Sequence, residues 1–376
     1  MKRVYFDNAA TTPLRKEVVE VMAKVLKDTF GNPSSSHAFG RSAKAILESC
    51  RKQIASFFNV STSEIVFTSG GTETNNLVLQ SAVNNLDVRH IITSKIEHHA
   101  VLHTIEELQA SKNVKVSYVN LNNGQIDLFH LEQLLQTDGK TLVSLMHINN
   151  ETGLISDIEE IGKLCKNYGA LFHSDTVQSI GHYNLDLQQI PLDFITASAH
   201  KFHGPKGIGF VFIRKNSGLK PMFFGGEQER GLRPGTEPLH NILGMTEALK
   251  ISYSNLENEK KQIEELKSYF VDELKANFPE VIFNSDLSKS TYTILNVRFP
   301  NMKSKGEMLQ FQLDLKGIAV SRGSACQSGS IQVSHVLKEF LSEEELQQPS
   351  LRFSFSSFNT KYEVDYVIDC LKELIN

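Results

Sequence analysis

The chain has no excess of positive charge: 39 Lys and Arg stand against 43 Asp and Glu, a formal net charge of -4. With no basic field to hold a phosphodiester backbone, direct nucleic-acid binding is not expected. Long apolar runs are also missing. The longest, such as 208–213, are strand-sized, far short of the roughly eighteen residues that a membrane span needs. Behind the opening Met-Lys-Arg-Val-Tyr-Phe-Asp there is no apolar stretch of signal-peptide length, so a cytoplasmic protein without membrane contact is expected. Cysteine is scarce and scattered. Cys50, Cys165, Cys326 and Cys370 form no C-x-x-C pair, which argues against a zinc site or a disulfide framework and leaves no metal site expected. The 23 Gly and 10 Pro are an ordinary globular complement, and no repeat or low-complexity tract appears. A chain of 376 residues buries enough apolar surface to fold without such staples.

What is present is an alternation of short β-rich runs and helical stretches between residues 64 and 214. Runs 65–68, 90–93, 114–119, 141–147, 171–174, 194–197 and 208–213 read as strands. Stretches 97–110, 128–136 and 157–168 carry apolar residues at helical spacing, the last starting at Asp157 and stopping at Gly169. This pattern predicts an α/β domain with a mainly parallel sheet covered by helices. After Pro238 comes one long helical stretch, 239–278, whose charged middle, 257–267, is expected to be solvated. Strand-like 293–299, 318–321 and 351–355, helical 305–315 and a last helix from Tyr362 form a smaller α+β unit. The expected division is a large domain over 15–254 and a small one from 1–14 and 255–376, the latter carrying Cys326 and Arg352. On the last helix Val364, Val367, Ile368 and Leu371 share a face, so Cys370 reads as a packing residue.

Three segments carry chemistry. Thr68-Ser69-Gly70-Gly71-Thr72-Glu73 leads from a strand into a helix, where glycines and free N–H groups can cradle an anion. It lacks the Walker lysine and the G-x-G-x-x-G spacing, so a nucleotide loop is disfavoured. Asp175 ends a buried strand, the edge at which open α/β sheets bind ligands, with Gln178 three residues on. Asp175 reads equally well as a helix cap or as the partner of a protonated ring nitrogen. Lys201 follows Ser198-Ala199-His200 and precedes Phe202-His203-Gly204-Pro205, at a strand end where a desolvated amine can attack a carbonyl carbon.

The order of cup, strand-end acid and lysine resembles pyridoxal-phosphate enzymes of the aspartate-aminotransferase fold (fold type I), and more closely the cysteine desulfurases. The match runs nearly end to end. Tyr5-Phe6-Asp7-Asn8-Ala9-Ala10-Thr11-Thr12-Pro13, Gly31-Asn32-Pro33, Glu97-His98-His99-Ala100, Asn149-Asn150-Glu151-Thr152-Gly153, Arg230-Gly231-Leu232-Arg233-Pro234-Gly235-Thr236 and Ser321-Arg322-Gly323-Ser324-Ala325-Cys326 are all similar to family signatures.

The resemblance implies pyridoxal 5'-phosphate as cofactor. It makes Lys201 the Schiff-base lysine, Asp175 the partner of the ring nitrogen and Gln178 a contact to the ring hydroxyl. His98 becomes a ring-stacking acid-base group, and Asn150 a neighbour of ring and substrate. Gly71, Thr72, Glu73, Ser198 and His200 surround the phosphate, Thr236 reaches it from the second subunit of a homodimer, and Arg352 clamps the substrate carboxylate.

Cys326, amid small and polar residues in an expected mobile loop, is by the same resemblance the expected nucleophile that receives sulfur from L-cysteine. The products it implies are L-alanine and a persulfide that passes to an acceptor protein, an iron-sulfur scaffold or a tRNA thiolation enzyme. The segment around Cys326 is similar to the longer-loop desulfurases; Arg322 and Gln327 depart mildly from the commonest pattern, and the docking extension that some relatives carry after the last helix is not expected. An aminotransferase on the same fold has no use for Cys326, a selenocysteine lyase shares the site, and a non-catalytic docking subunit does not need Lys201, Asp175 and His98.

Overall fold

The computed structural model describes residues 3–137, 139–302, 306–323 and 333–375. Cys326 lies outside them. A seven-stranded sheet runs in the order Ile65–Thr68, Gly209–Ile213, Phe194–Ser198, Leu171–Asp175, Thr141–Ser144, His90–Thr93, Lys115–Tyr118. All pairings are parallel except those of Gly209–Ile213, which is antiparallel to both neighbours. The remaining six strands therefore share one direction. Their C-terminal ends lie along one edge.

Every expected strand of the main sheet is present: 65–68 and 90–93 as expected, 171–174 and 194–197 one residue longer, and 114–119, 141–147 and 208–213 shorter. The run 141–147 is a regular strand only to Ser144, though the Leu145 and His147 N–H groups still donate to the His173 and Asp175 carbonyls at 3.1 and 3.0 Å before the chain turns away where the cleft opens. Helix Ile158–Asn167 starts as expected, Asp157 accepting the Glu160 N–H at 3.0 Å, and Gly169 follows it at φ 67°. Helices Lys16–Asp28, Ala38–Phe57 and Leu239–Ser254 cover one face, packing Val18, Leu47, Ile54, Ile242 and Leu249 on Phe210 and Phe212. Helices Gly71–Asn85 and His99–Lys112 cover the other, with Leu77, Val78, Val101 and Ile105 on Ile91 and Val211. Strands buried on both faces explain the nearly continuous apolar runs.

The stretch 239–278 is two helices rather than one, since Asn255 leaves helical geometry (φ -111°, ψ 9°) between Leu239–Ser254 and Leu256–Asn277. The solvated reading of 257–267 also fails at Lys267. Its stem is buried and its ammonium donates to the Thr291 carbonyl at 2.7 Å, while burial lowers its pKa to about 8. A separate apolar cluster joins Val4 and Phe6 to buried side chains between Ile263 and Leu371. It lies under the antiparallel strands Ile282–Phe283, Ile294–Arg298 and Ser350–Ser354 and the parallel pair Val4–Tyr5 and Ile318–Ala319. Cys50, Cys165 and Cys370 are buried free thiols. Among the described residues no helix is long and apolar enough to cross a membrane, and none of their His, Cys, Asp and Glu side chains form a group of three able to hold a metal ion.

Candidate active site

The sheet edge assembles the site by repetition. After Thr68 come Gly71 and Thr72; after Thr93, His98; after Ser144, Asn150; after Asp175, Gln178; after Ser198, His200 and Lys201. All of these residues, with Asp175, Ser198 and Arg352, line one open cleft, closed further by Ala9, Ala10, Met146 and Ile148. Parallel strands deliver their C-terminal loops to one edge, so residues from Gly71 to Lys201 meet there, and Arg352 joins them from the antiparallel strand Ser350–Ser354.

The cup lies at the start of helix Gly71–Asn85. Gly70 is its N-cap at φ 148° and makes no side-chain cap hydrogen bond, so the first N–H groups of the helix are left to a ligand. A Cβ on Gly71 would sit 3.0 Å from Val177 Cγ2, so a side chain there would crowd Val177 and the cradle.

Asp175 is 7% exposed and its carboxylate is oriented by two donors, Asn75 Nδ2 at 2.7 Å and the Val177 N–H at 3.0 Å. Asn75 is itself fixed by the Thr196 hydroxyl, which donates to its Oδ1 at 2.7 Å. His173, buried beneath, bonds Ser144 Oγ through Nδ1 and Thr196 Oγ1 through Nε2, and burial pushes its pKa down to about 4. Gln178 Nε2 donates to the Ala9 carbonyl at 3.0 Å. Lys201 Nζ donates to the carbonyls of Ala9 at 2.5 Å and Ala10 at 3.0 Å.

His98 caps helix His99–Lys112, its Nδ1 accepting the Ala100 N–H at 3.1 Å. A neutral ring with Nδ1 as acceptor carries its proton on Nε2. Burial lowers the His98 pKa, and Lys201, His335 and His103 add to the effect while Asp175 opposes it. His200 is pushed down to about 4 by burial, then by Lys201 and Lys206. Arg352 is 1% exposed; its Nη1 donates to the Asn150 carbonyl at 2.7 Å and its Nη2 to Asp7 Oδ1 at 2.9 Å.

Two expected residues do not line the cleft. Glu73 faces away from it and accepts from Ser69 N–H at 2.7 Å and from the Arg233 guanidinium at 2.9 Å. Thr236 is exposed. Asn75, His173, Asp7 and the carbonyls of Ala9 and Ala10 were not singled out by residue chemistry, although Asp7, Ala9 and Ala10 stand within a quoted motif.

A family model described as aminotransferase class-V matches residues 4–367. The chain is 41% identical over its full length, and over 95% of the relative, to a cysteine desulfurase IscS of Dictyoglomus turgidum. It is 40% identical to a putative cysteine desulfurase IscS 1 of Bacillus subtilis, with both chains covered entirely. Among solved structures, a NifS-like protein superposes with a TM-score of 0.91 at 37% identity over 99% of each chain. The chain belongs to the aminotransferase class-V family. Within that family it falls among the pyridoxal-phosphate-dependent cysteine desulfurases.

The residues fit that cofactor. A side-chain-free cradle at a helix N-terminus suits its phosphate, a carboxylate held by two donors suits a protonated ring nitrogen, and an amine on the facing wall suits its aldehyde.

Proposed function

We propose that this chain takes sulfur from L-cysteine in the cleft, releasing L-alanine and leaving a persulfide on Cys326. The observation that carries this reading is the convergence of Lys201, Asp175, the anion cup and Arg352 in one cleft, in a chain 41% identical to a cysteine desulfurase. Gly71, Thr72, Ser198 and His200 hold the cofactor phosphate, Asp175 and Gln178 its ring, and Lys201 its aldehyde, with His98 and Asn150 in the same wall. When bound, pyridoxal phosphate supplies an electron sink for negative charge at the substrate α-carbon.

The chain's own groups do the rest. Arg352 binds the α-carboxylate and fixes the substrate's orientation. Lys201 moves a proton at the α-carbon, and His98, whose Nδ1 is engaged as a helix cap, exchanges a proton through Nε2. The Cys326 thiolate attacks the substrate sulfur; an S–S bond forms, the C–S bond breaks with its electron pair left on carbon, and that carbon takes a proton to give alanine. Cys50, Cys165 and Cys370 are poor substitutes, because burial raises the pKa of each thiol.

The separate apolar clusters, one drawn from 18–249 and one from 4–6 and 263–371, support a large domain over 15–254 and a small one from 1–14 and 255–376. Exposed Phe224, at 91%, together with Phe30 and Phe39, supports a homodimer in which Thr236 serves the neighbouring subunit's phosphate. The persulfide passes to an acceptor protein in the cytoplasm, an iron-sulfur scaffold or a tRNA thiolation enzyme. The test is product analysis. Alanine and sulfide in equal amounts from L-cysteine with a thiol reductant present to release the persulfide sulfur, and no added keto acid, support the reading; strict dependence on a keto acid makes the chain an aminotransferase and overturns it.

A further inference from the structure

The turn that forms the cup is supported from behind by a loop that does not touch the cleft. Residues 227–235 bear two acid-base contacts on opposite sides. On one, Arg233 Nε and Nη2 donate to Glu73 at 2.9 and 3.3 Å, and the same Glu73 accepts the Ser69 N–H at 2.7 Å. Glu73 thus closes the turn Ser69–Thr72 and is itself held by Arg233. Burial raises the Glu73 pKa, but hydrogen bonds from Arg233 and Ser69 outweigh it and the net direction is down, so the side chain stays a carboxylate.

On the other side, Glu229 forms a bidentate pair with Arg51, both contacts 2.7 Å, with side chains 1% and 3% exposed. Glu229 Oε2 also accepts the Phe67 N–H at 2.9 Å, and Arg51 donates to the Ile65 carbonyl at 2.9 Å. Ile65–Thr68 is an edge strand, so this pair occupies backbone groups that an eighth strand would otherwise take. The strand leads directly into the cup.

The loop adopts a costly conformation to make these contacts. Glu229 and Arg230 are both left-handed, at φ 47° and 57°, a region that side-chain-bearing residues rarely enter in succession. Leu232 anchors the loop on the apolar cluster of the sheet, and beside it a small cavity bordered by Phe67, Ser69, Glu229, Arg233 and Glu237 lies between loop and strand. The two charged pairs span the loop and the strand on either side of that cavity.

We propose that Glu229 and Arg233 are positioning residues for the phosphate cup: they set the turn through Phe67 and Glu73 without touching the ligand. Glu73, which the family resemblance counts among the cofactor contacts, acts here as the latch of the turn. The inference rests on the reading of Ser69–Thr72 as the phosphate cup. It applies to the phosphate end of the cleft alone, since Asp175 and Lys201 are held by Asn75, Val177, Ala9 and Ala10 instead.

That restriction supplies the test. Full-length protein freed of cofactor is titrated by absorbance with pyridoxal phosphate and, in parallel, with pyridoxal, which lacks the phosphate. Arg233→Met and Glu229→Gln are expected to weaken pyridoxal phosphate binding about tenfold or more, leave pyridoxal within about twofold, and Arg233→Lys to recover part of the loss. Equal losses for both aldehydes, or no loss for either, overturn the proposal. If Glu229→Gln does not fold, Arg233→Met, at a partly exposed position, decides alone. A wild type that binds the two aldehydes equally well removes the phosphate cup itself, and the brace with it.

Discussion

Arg352→Lys tests the substrate end of the cleft. A guanidinium has five N–H donors in a planar fork. One goes to the Asn150 carbonyl and one to Asp7, and the buried Nε–H has no hydrogen-bond partner. The fork therefore keeps donors in hand for a second carboxylate. Lysine preserves the charge beside Asp7, so the buried partner is not orphaned, but an ammonium cannot meet two oxygens with parallel bonds. Losing one charge-assisted hydrogen bond costs about 2 kcal/mol, which is about thirtyfold in kcat/KM for L-cysteine. The assay is release of alanine from L-cysteine and of alanine methyl ester from L-cysteine methyl ester, which has no carboxylate to bind. The variant should lose most of the wild-type preference for the acid while its kcat/KM for the ester stays within about threefold. A variant that still separates acid from ester as the wild type does would refute Arg352 as the carboxylate site.

Lys201→Ala should abolish covalent cofactor capture; borohydride reduction and peptide mapping of the wild type should find the pyridoxyl group on Lys201, and finding it on Lys206 instead sinks the assignment. Cys326→Ser should bind cofactor and cysteine normally yet lose nearly all alanine release, and mass spectrometry of the wild type should show one added sulfur on the Cys326 peptide. Acid should weaken the fold. Burial holds buried His147, His173 and His203 at about 4, so between there and the unfolded value near 6.5 only the unfolded chain takes up protons, and stability falls by up to about 2 kcal/mol per ring by pH 5. Urea midpoints at pH 7 and pH 5 measure this, and equal midpoints contradict it. Sedimentation of cofactor-loaded protein at micromolar concentration should show a dimer; an active monomer removes the role given to Thr236.

The elements of the main sheet were legible because each strand and helix announces itself within a window of a few residues. The expected runs 65–68 and 90–93 match the observed strands residue for residue. Asp175, Lys201 and the cup were legible for a related reason. Each ends or follows a strand, and in a parallel sheet that position alone assigns a residue to the ligand-binding edge. Where local signals are weak, local reading failed. Asn255 breaks 239–278 into two helices although nothing but a polar residue marks the spot. Lys267 is charged by type and buried by partner, its ammonium satisfied by the Thr291 carbonyl rather than by water.

The supports of the site were hidden for a different reason. Asn75 reaches Asp175 across 100 residues, Arg51 reaches Glu229 across 178, Lys201 reaches Ala9 across 192 and Arg352 reaches Asp7 across 345. No periodicity carries information over such distances. A ligand-facing residue is constrained by chemistry that its neighbours betray, a glycine turn or a lysine among small residues. A supporting residue needs only the right length and charge, and many sequence positions offer those. Asp7 shows the consequence, for its carboxylate fixes Arg352 although it stands on the first turn of the chain and by type could be any surface acid. The Asp7 pairing with Arg352, the Ala9 and Ala10 carbonyls on Lys201 and the Ala9 carbonyl on Gln178 tie residues 7–10 to the cleft, where Ala9 and Ala10 are part of the lining. On the proposed function, changes in this N-terminal segment act on substrate and cofactor binding.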